Sequence, residues 1–433
     1  MNALRHFVAW SPGKLAKDTA IVTGGMGLRA VSQALVFLIT ARVLGVEGYG
    51  SFVALLTLAS VLSYFCGLGG HVLLVRDVAR DSASFAAGWG YAISSLLVGT
   101  TMVFPIYLLA SNWLVPQYIA LSAIALLGVG ELIFWPLANL ASFAYQGYER
   151  MGRSSHMMLA PVVFRLMAAL TLLALSVWEK LKFPLLTWCA LYAVAMLVSA
   201  CYVHYRVFRD LGAPRWGKAA HLRERIEEGI VFSFWGIAEK VYVDADKLML
   251  ARLNSLEVVG LYSAGYRVVD IVFLPLYALL SSAAPRFFRA GHVGVAGAWR
   301  YARRVAPIAI GYGSAVGLAL FFAAPLLTSL LGEAYADAVE VVRWLCWLPL
   351  VSSPRLLLQY ALATSGRHKV GMMAVAMGGS TNILINIGLI PTLGWQGAAV
   401  ATYAAEILMA GAMACPVLHR PRSIRKEAPV KRR

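Results

Sequence analysis

The chain has 433 residues, 60% hydrophobic and 14% charged, with a mean hydropathy of +0.70. A soluble protein carries nearer about 25% charged residues, so a soluble globular class is excluded. The formal charge of +17 would point to nucleic acid in a soluble protein, but its distribution along this chain argues against that partner.

Apolar stretches of about 20 residues, each long enough to cross a bilayer core, predict twelve spans. The N-terminus is basic, and the first apolar run lacks a small-residue cleavage site, so it reads as a span and not a signal peptide. Span 1 (20–40) carries Arg29, with Gln33 one turn later and Gly24, Gly25 and Gly27 just before it. No acid lies within helical reach of Arg29, so it looks to another helix or to cargo for a partner. The three glycines would permit bending or close helix approach.

Spans 2 (50–75) and 3 (85–110) contain no ionisable cluster. Span 4 (117–143) holds Glu131 and span 5 (156–177) holds Arg165, a pair expected to neutralise each other across neighbouring helices. Span 6 (184–205) is followed by the longest polar break, 206–228, read as a linker plus a short interfacial helix at Leu222–Glu228.

Span 7 (229–251) is the costliest to insert. Glu239, Lys240, Asp244, Asp246 and Lys247 fall within nine residues, and a single such charge at a helix centre costs roughly 2.5–3.5 kcal/mol. At 100° per residue they share an arc of about 160°. Two readings stay open and can coexist. The face pairs internally, Lys240 with Asp244 and Asp244 with Lys247, or it lines a hydrated cavity. Asp246 and Lys247 lie nearer the outer end, as a gate or a structural pair.

Span 8 (258–284) holds Arg267 and Asp270 three residues apart, either a local ion pair or an anion ligand held in place by its carboxylate. Span 9 is read at 306–330. Span 10 (338–363) holds Arg343, with Glu340 three residues before it, and Arg355. Span 11 (370–391) holds Asn382 and Asn386, spaced for interhelical hydrogen bonds. Span 12 (395–418) holds Glu406 and is followed by a basic tail, 419–433.

With the N-terminus on the cytoplasmic side, about 27 of the 38 Lys and Arg fall in tails and cytoplasmic loops. Lys14, Arg76, Arg80, Arg150, Arg286 and Arg367 are among them, and only Arg42, Lys180, Lys182 and Arg252 fall in outer loops. This positive-inside pattern puts both termini in the cytoplasm and turns the basic balance into a topology signal. The five cysteines are scattered through apolar spans without metal spacing.

An internal repeat divides the chain. Arg42, Glu47, Gly50 and Phe52 recur as Arg252, Glu257, Gly260 and Tyr262 at one offset, 252 − 42 = 210. Six spans separate the copies, so both point the same way, as in parallel repeats about an axis along the membrane normal. The expected organisation is an N-terminal lobe (1–205), a cytoplasmic linker (206–228), a C-terminal lobe (229–418) and the tail. Transporters built from such repeats bind cargo near the midplane and alternate access by rocking. Guanidinium groups suit phosphate, so Arg29, Lys240 and Arg267, with Arg165, would suit a diphosphate. Asp244, Asp270 and Glu239 would orient them or take up H⁺ or Na⁺. No nucleotide-binding, metalloprotease or serine-hydrolase motif occurs, so a transporter is expected and not an enzyme, without a bound cofactor.

The stretch Arg42-Val-Leu-Gly-Val-Glu-Gly-Tyr-Gly50 resembles the opening signature of bacterial polysaccharide flippases, the Wzx-type branch of the MOP superfamily. Asp246-Lys-Leu-Met-Leu250 with Val259-Gly-Leu-Tyr-Ser-Ala-Gly-Tyr-Arg267 resembles their second-lobe motif, and 382–399 their last hairpin. The resemblance covers nearly the whole chain. It implies an all-α polytopic fold of two six-helix lobes in a V, in the bacterial inner membrane. It implies transfer of an undecaprenyl-diphosphate-linked oligosaccharide from the cytoplasmic to the periplasmic leaflet, for O-antigen or exopolysaccharide synthesis. A polysaccharide polymerase, a chain-length regulator and membrane lipid are the implied partners. A cationic central cavity is expected for the head group, and Arg29, Lys240 and Arg267 match it by type and depth. The rival is the related MATE branch, in which Asp244 and Asp270 would bind an organic cation exchanged for H⁺ or Na⁺. A third reading is a scaffold for polysaccharide enzymes, which has no need of intramembrane charges.

Overall fold

A computed structural model describes residues 14–116, 118–216 and 219–418, with side chains outside 14–26, 219–222, 231–232, 234–239, 368, 416 and 418. The described chain is helical, as an apolar chain must be where no water can satisfy its backbone.

The first long helix, Lys14–Cys66, is two spans joined at a corner. Gly45 lies at φ 70° and ψ 177°, a backbone conformation that L side chains rarely adopt. It separates α1 (14–44) from α2 (46–66). Then follow α3 (Gly70–Arg80), α4 (Phe85–Leu114), α5 (Leu121–Gly147), α6 (Met151–Val177), α7 (Pro184–Leu211), α8 (Ala219–Leu253) and α9 (Leu256–Gly291). The remainder are α10 (Val295–Ala323), the short α11 (Leu326–Leu331), α12 (Ala338–Thr364), α13 (His368–Leu393) and α14 (Trp395–Leu418).

Ten helical segments are long and apolar enough to span by composition. One of these, Gly27–Cys66, contains the Gly45 corner and counts twice. α8 is long enough but carries the charge cluster that keeps it off a hydropathy count. Among the described residues these helices are compatible with the twelve expected spans.

Three expected boundaries are corrected. Span 2, expected over 50–75, is shorter: α2 ends at Cys66 and a turn through Gly67–Gly69 starts the separate α3. The turn needs its glycines: Gly69 has φ 70°, and a Cβ there would lie 2.0 Å from the Gly229 carbonyl. The expected short helix at 222–228 is the opening of α8, continuous to Leu253. Its charges bind α3: Arg225 pairs with Asp77, Glu228 with Arg76, and the Arg225 guanidinium stands 4.8 Å from the Tyr91 ring centre. In place of the expected span 9 (306–330), α10 covers Val295–Ala323 and α11 is separate. The polar first turns of α10 hid its start.

Contacts gather the chain into two compact units, Met1–Ala264 with Leu327–Ala338, and Gly265–Leu326 with Val339–Arg433. In the first unit α8 packs on the α1–α2 pair, α3 and α4, and a core of Leu74, Phe85, Trp89, Tyr145 and Met157 joins α3 to α7. In the second, Leu280, Phe287, Ala302, Val305 and Leu357 bind α9, α10 and α12, while α13 packs on α14.

The repeat has a spatial counterpart in the first unit. A Cβ at Gly50 would lie 1.8 Å from the Leu256 carbonyl oxygen, and one at Gly260 would lie 2.1 Å from the Val46 carbonyl oxygen. Adding the offset turns 46 into 256 and 50 into 260. The contact between the starts of α2 and α9 is therefore reciprocal, with each glycine facing the carbonyl four residues before the other.

In the second unit Asn386 Nδ2 donates to Asn382 Oδ1 within α13 at 2.9 Å, and Asn386 Oδ1 is buried without a hydrogen-bond partner among the described residues. This is a local pair. Interhelical hydrogen bonds of membrane helices average about 0.6 kcal/mol. Asn386→Leu is expected to change stability by less than about 1 kcal/mol, read by unfolding in detergent; a loss several times larger would mean the pair supports more than α13.

Candidate functional site

The charges of α8 are largely paired with one another. Lys240 Nζ lies 2.5 Å from Asp244 Oδ2, and Lys247 Nζ lies 2.6 Å from Asp244 Oδ1. One carboxylate thus serves two ammonium groups one turn above and one turn below it. Asp244 and Lys247 have side chains only 10% and 11% exposed, against 31% for Lys240. Asp246 is turned away, buried, and accepts a 2.7 Å hydrogen bond from the Tyr262 hydroxyl of α9. Lys247 Nζ stands 3.9 Å from it. The Glu239 side chain lies outside the described residues.

α5 is not a regular helix at Glu131. Residues Gly130–Phe134 form a π-turn, a one-residue widening that often accompanies function. Gly130 allows α7 to approach, since a Cβ there would lie 2.8 Å from the Tyr192 ring. Tyr192 in turn donates its hydroxyl to Glu131 Oε2. Arg165 of α6 lies near the same Tyr192 side chain, and its guanidinium lies 5.7 Å from the Trp135 ring centre. Arg165 lies within electrostatic reach of Glu131, as expected of a pair that neutralises each other across neighbouring helices. Among the described residues the two make no ion pair within 4 Å, and the hydrogen-bond partner of Glu131 is Tyr192.

Arg165 Nε is buried and has no hydrogen-bond partner among the described residues. Arg29 of α1 is half-buried and lies within electrostatic reach of Arg165. No described carboxylate makes an ion pair with Arg29. At Gly27, half a turn earlier, nothing lies within 4 Å of a Cβ position. It marks open space, where close helix approach was expected. Lys240 lies within electrostatic reach of Glu131, which joins the α8 charges to those of α5 and α6.

The first unit thus brings together Arg29, Arg165, Lys240 and Lys247 with Glu131, Asp244 and Asp246. Four bases less three acids leave +1. Each of these carboxylates already holds a lysine or a tyrosine. The guanidiniums of Arg29 and Arg165 repel each other instead, and an anion between them would relieve that repulsion. Such a site offers an anion planar, charge-assisted donors from two helices.

Arg267, also expected at the site, belongs to the second unit. Its Nη1 lies 3.7 Å from Asp270 Oδ2, and both side chains are half exposed. Arg355 is a buried structural partner there: Nε meets Glu406 Oε2 at 2.6 Å and Nη1 meets Gln359 Oε1 at 2.9 Å. Sequence reasoning missed Tyr192 and the π-turn. Tyrosine in an apolar span carries no charge signal, although Gly130 directly before an intramembrane glutamate was a visible irregularity.

The family model described as polysaccharide biosynthesis protein matches residues 15–290, well over half of the chain. No curated protein matches. Several solved structures share the fold. A multidrug resistance MATE family transporter of the MOP superfamily, in an inward-facing conformation, aligns with a TM-score of 0.72 at 14% identity, covering 90% of this chain and 94% of that one. The MATE multidrug transporter DinF-BH gives 0.63 at 15% identity, with 94% and 95% covered. A MOP superfamily transporter from Pyrococcus furiosus, described as having a binding pocket of reverse polarity, gives 0.61 at 14% identity, with 92% and 93% covered.

Proposed function

Because the chain belongs to the polysaccharide biosynthesis protein family and has the multi-pass fold of MOP superfamily transporters, we propose that it is a flippase for a lipid-linked oligosaccharide. It moves an undecaprenyl-diphosphate-linked repeat unit from the cytoplasmic to the periplasmic leaflet of a bacterial inner membrane, for O-antigen or exopolysaccharide assembly. The observation that carries this reading is the pair Arg29 and Arg165, apposed from two helices, with no described carboxylate on Arg29 and with Arg165 Nε unpartnered among the described residues. A diphosphate supplies the missing acceptors and charge. Lys240, shared with Asp244, contributes less. Arg267, held by Asp270, is the anion ligand of the second unit.

Both termini face the cytoplasm in this reading, and a polymerase and a chain-length regulator receive the product. The moving bodies are lobes 1–205 and 229–418 with 206–228 between them. Asp244, Asp270 and Glu239 orient the basic groups or take up the coupling H⁺ or Na⁺. If Asp246 and Lys247 gate the outer end, Tyr262 and Asp244 are the partners that opening must release. A cation antiporter would need a carboxylate free to take its cargo. Glu131, Asp244 and Asp246 are each engaged, which favours the anionic cargo.

The test replaces Arg29, Lys240 and Arg267 singly by alanine and measures surface polysaccharide at matched protein level. Loss is expected to be strongest at Arg29. Full activity in all three contradicts the phosphate reading. Drug sensitivity of a deletion strain with intact polysaccharide would support the antiporter instead.

A further inference from the structure

The second unit contains an open hollow of about 570 Å³ that the proposed transport site does not use, within the range of about 300–1,000 Å³ common for ligand sites. Phe321 of α10, Glu340, Arg343, Trp344 and Trp347 of α12, and Tyr403 of α14 line it. Four of the six are aromatic, and their positions are set by packing. The Tyr403 hydroxyl donates to the Trp344 carbonyl at 2.6 Å. The Trp344 ring meets Trp395 edge to face, 5.8 Å between centres at 87°. Gly317 leaves room for Trp347, since a Cβ there would lie 2.8 Å from its ring.

Glu340 and Arg343 stand one turn apart on α12, and their spacing predicts an ion pair. None forms. Among the described residues neither makes an ion pair, and the Arg343 guanidinium rests 5.3 Å from the Phe321 ring centre. The hollow therefore presents aromatic walls, a free acceptor and a free donor.

We infer that this hollow binds a pyranose ring of a saccharide. Aromatic faces stack on the C–H face of a sugar, whose hydroxyls donate to the Glu340 carboxylate and accept from the Arg343 guanidinium. A phosphate would meet the like charge of Glu340, and an acyl chain would leave both charges bare. The positive-inside pattern puts the start of α12 at the outer side, where an arriving repeat unit emerges. The inference rests on the flippase reading for its cargo, and it adds a site for the sugar apart from the diphosphate.

The experiment uses the full chain in lipid nanodiscs and the oligosaccharide repeat unit released from the host's surface polysaccharide, free of lipid and diphosphate. Saturation-transfer NMR is expected to show transfer to pyranose protons. Trp344→Ala and Glu340→Gln weaken it at least about fivefold, Trp344→Phe retains most of it, and Arg29→Ala leaves it unchanged. The thermal unfolding of each variant establishes that it is folded, and Glu340→Gln carries the test where Trp344→Ala is not folded: transfer equal to wild type in Glu340→Gln then overturns the inference. Transfer that is absent in wild type, confined to the nanodisc phospholipid, or equal in Trp344→Ala overturns the inference. Flipping of lipid-linked oligosaccharide by the same protein in proteoliposomes separates the failures: intact flipping without saccharide binding removes only the hollow, and absent flipping removes the transport reading.

Discussion

Asp244→Asn is expected to destabilise the protein by about 3–5 kcal/mol, the usual penalty for leaving a buried charge without its partner. Asp244 holds Lys240 at 2.5 Å and Lys247 at 2.6 Å. Removing its charge leaves two ammonium groups two helical turns apart with no carboxylate between them, and Lys247 is only 11% exposed. An amide oxygen can accept a hydrogen bond but cannot neutralise either lysine. Because replacing a buried ion pair by apolar groups is often neutral or better, Asp244→Leu combined with Lys247→Met should recover most of the loss. Chemical unfolding in detergent measures both. If Asp244→Asn unfolds like wild type, the carboxylate is not the keystone of α8, and its charges must be solvated by a cavity.

The second large effect comes from the repeat. Gly50→Ala puts a methyl where the Leu256 carbonyl oxygen is 1.8 Å away, and Gly260→Ala puts one 2.1 Å from the Val46 carbonyl oxygen. Backbone cannot rotate aside as a side chain can. Each variant must part the starts of α2 and α9, at a cost of about 3 kcal/mol. Once one substitution has separated the helices, the second meets less resistance, so the double variant should lose clearly less than the sum. Gly311→Ala and Gly388→Ala are the controls. Nothing lies within 4 Å of a Cβ at either, and alanine favours helix over glycine, so neither should destabilise. Additive losses at Gly50 and Gly260 would show that the two positions do not share one contact.

Most of the helices were legible because twenty apolar residues in a row leave few alternatives in lipid. The misreadings share a cause. Hydropathy sees composition and not the backbone, so it ran span 2 through the glycine turn at 67–69 and began span 9 after the polar first turns of α10. The offset of 210 identified the repeat, but two bare glycines do not disclose that their backbones touch. In the site, the i,i+3 and i,i+4 spacings of α8 anticipated the Lys240–Asp244–Lys247 chain. They could not anticipate Tyr192 as the partner of Glu131, because that hydrogen bond joins two helices far apart in sequence. The same limit applies to Glu340 and Arg343, whose spacing predicts a pair that the aromatic packing replaces.

In the proposed flippase, Arg29 and Arg165 form an anion site for a lipid diphosphate. Binding of undecaprenyl diphosphate to purified protein, with undecaprenol as the uncharged comparison, tests it most directly. Charge-assisted hydrogen bonds contribute about 1.5–3 kcal/mol each, so Arg29→Gln and Arg165→Gln should each weaken diphosphate binding about tenfold or more. Lys240→Gln should weaken it less, and undecaprenol should bind all four proteins alike. Unchanged diphosphate affinity in both arginine variants, or equal affinity of wild type for the alcohol and the diphosphate, would contradict the account.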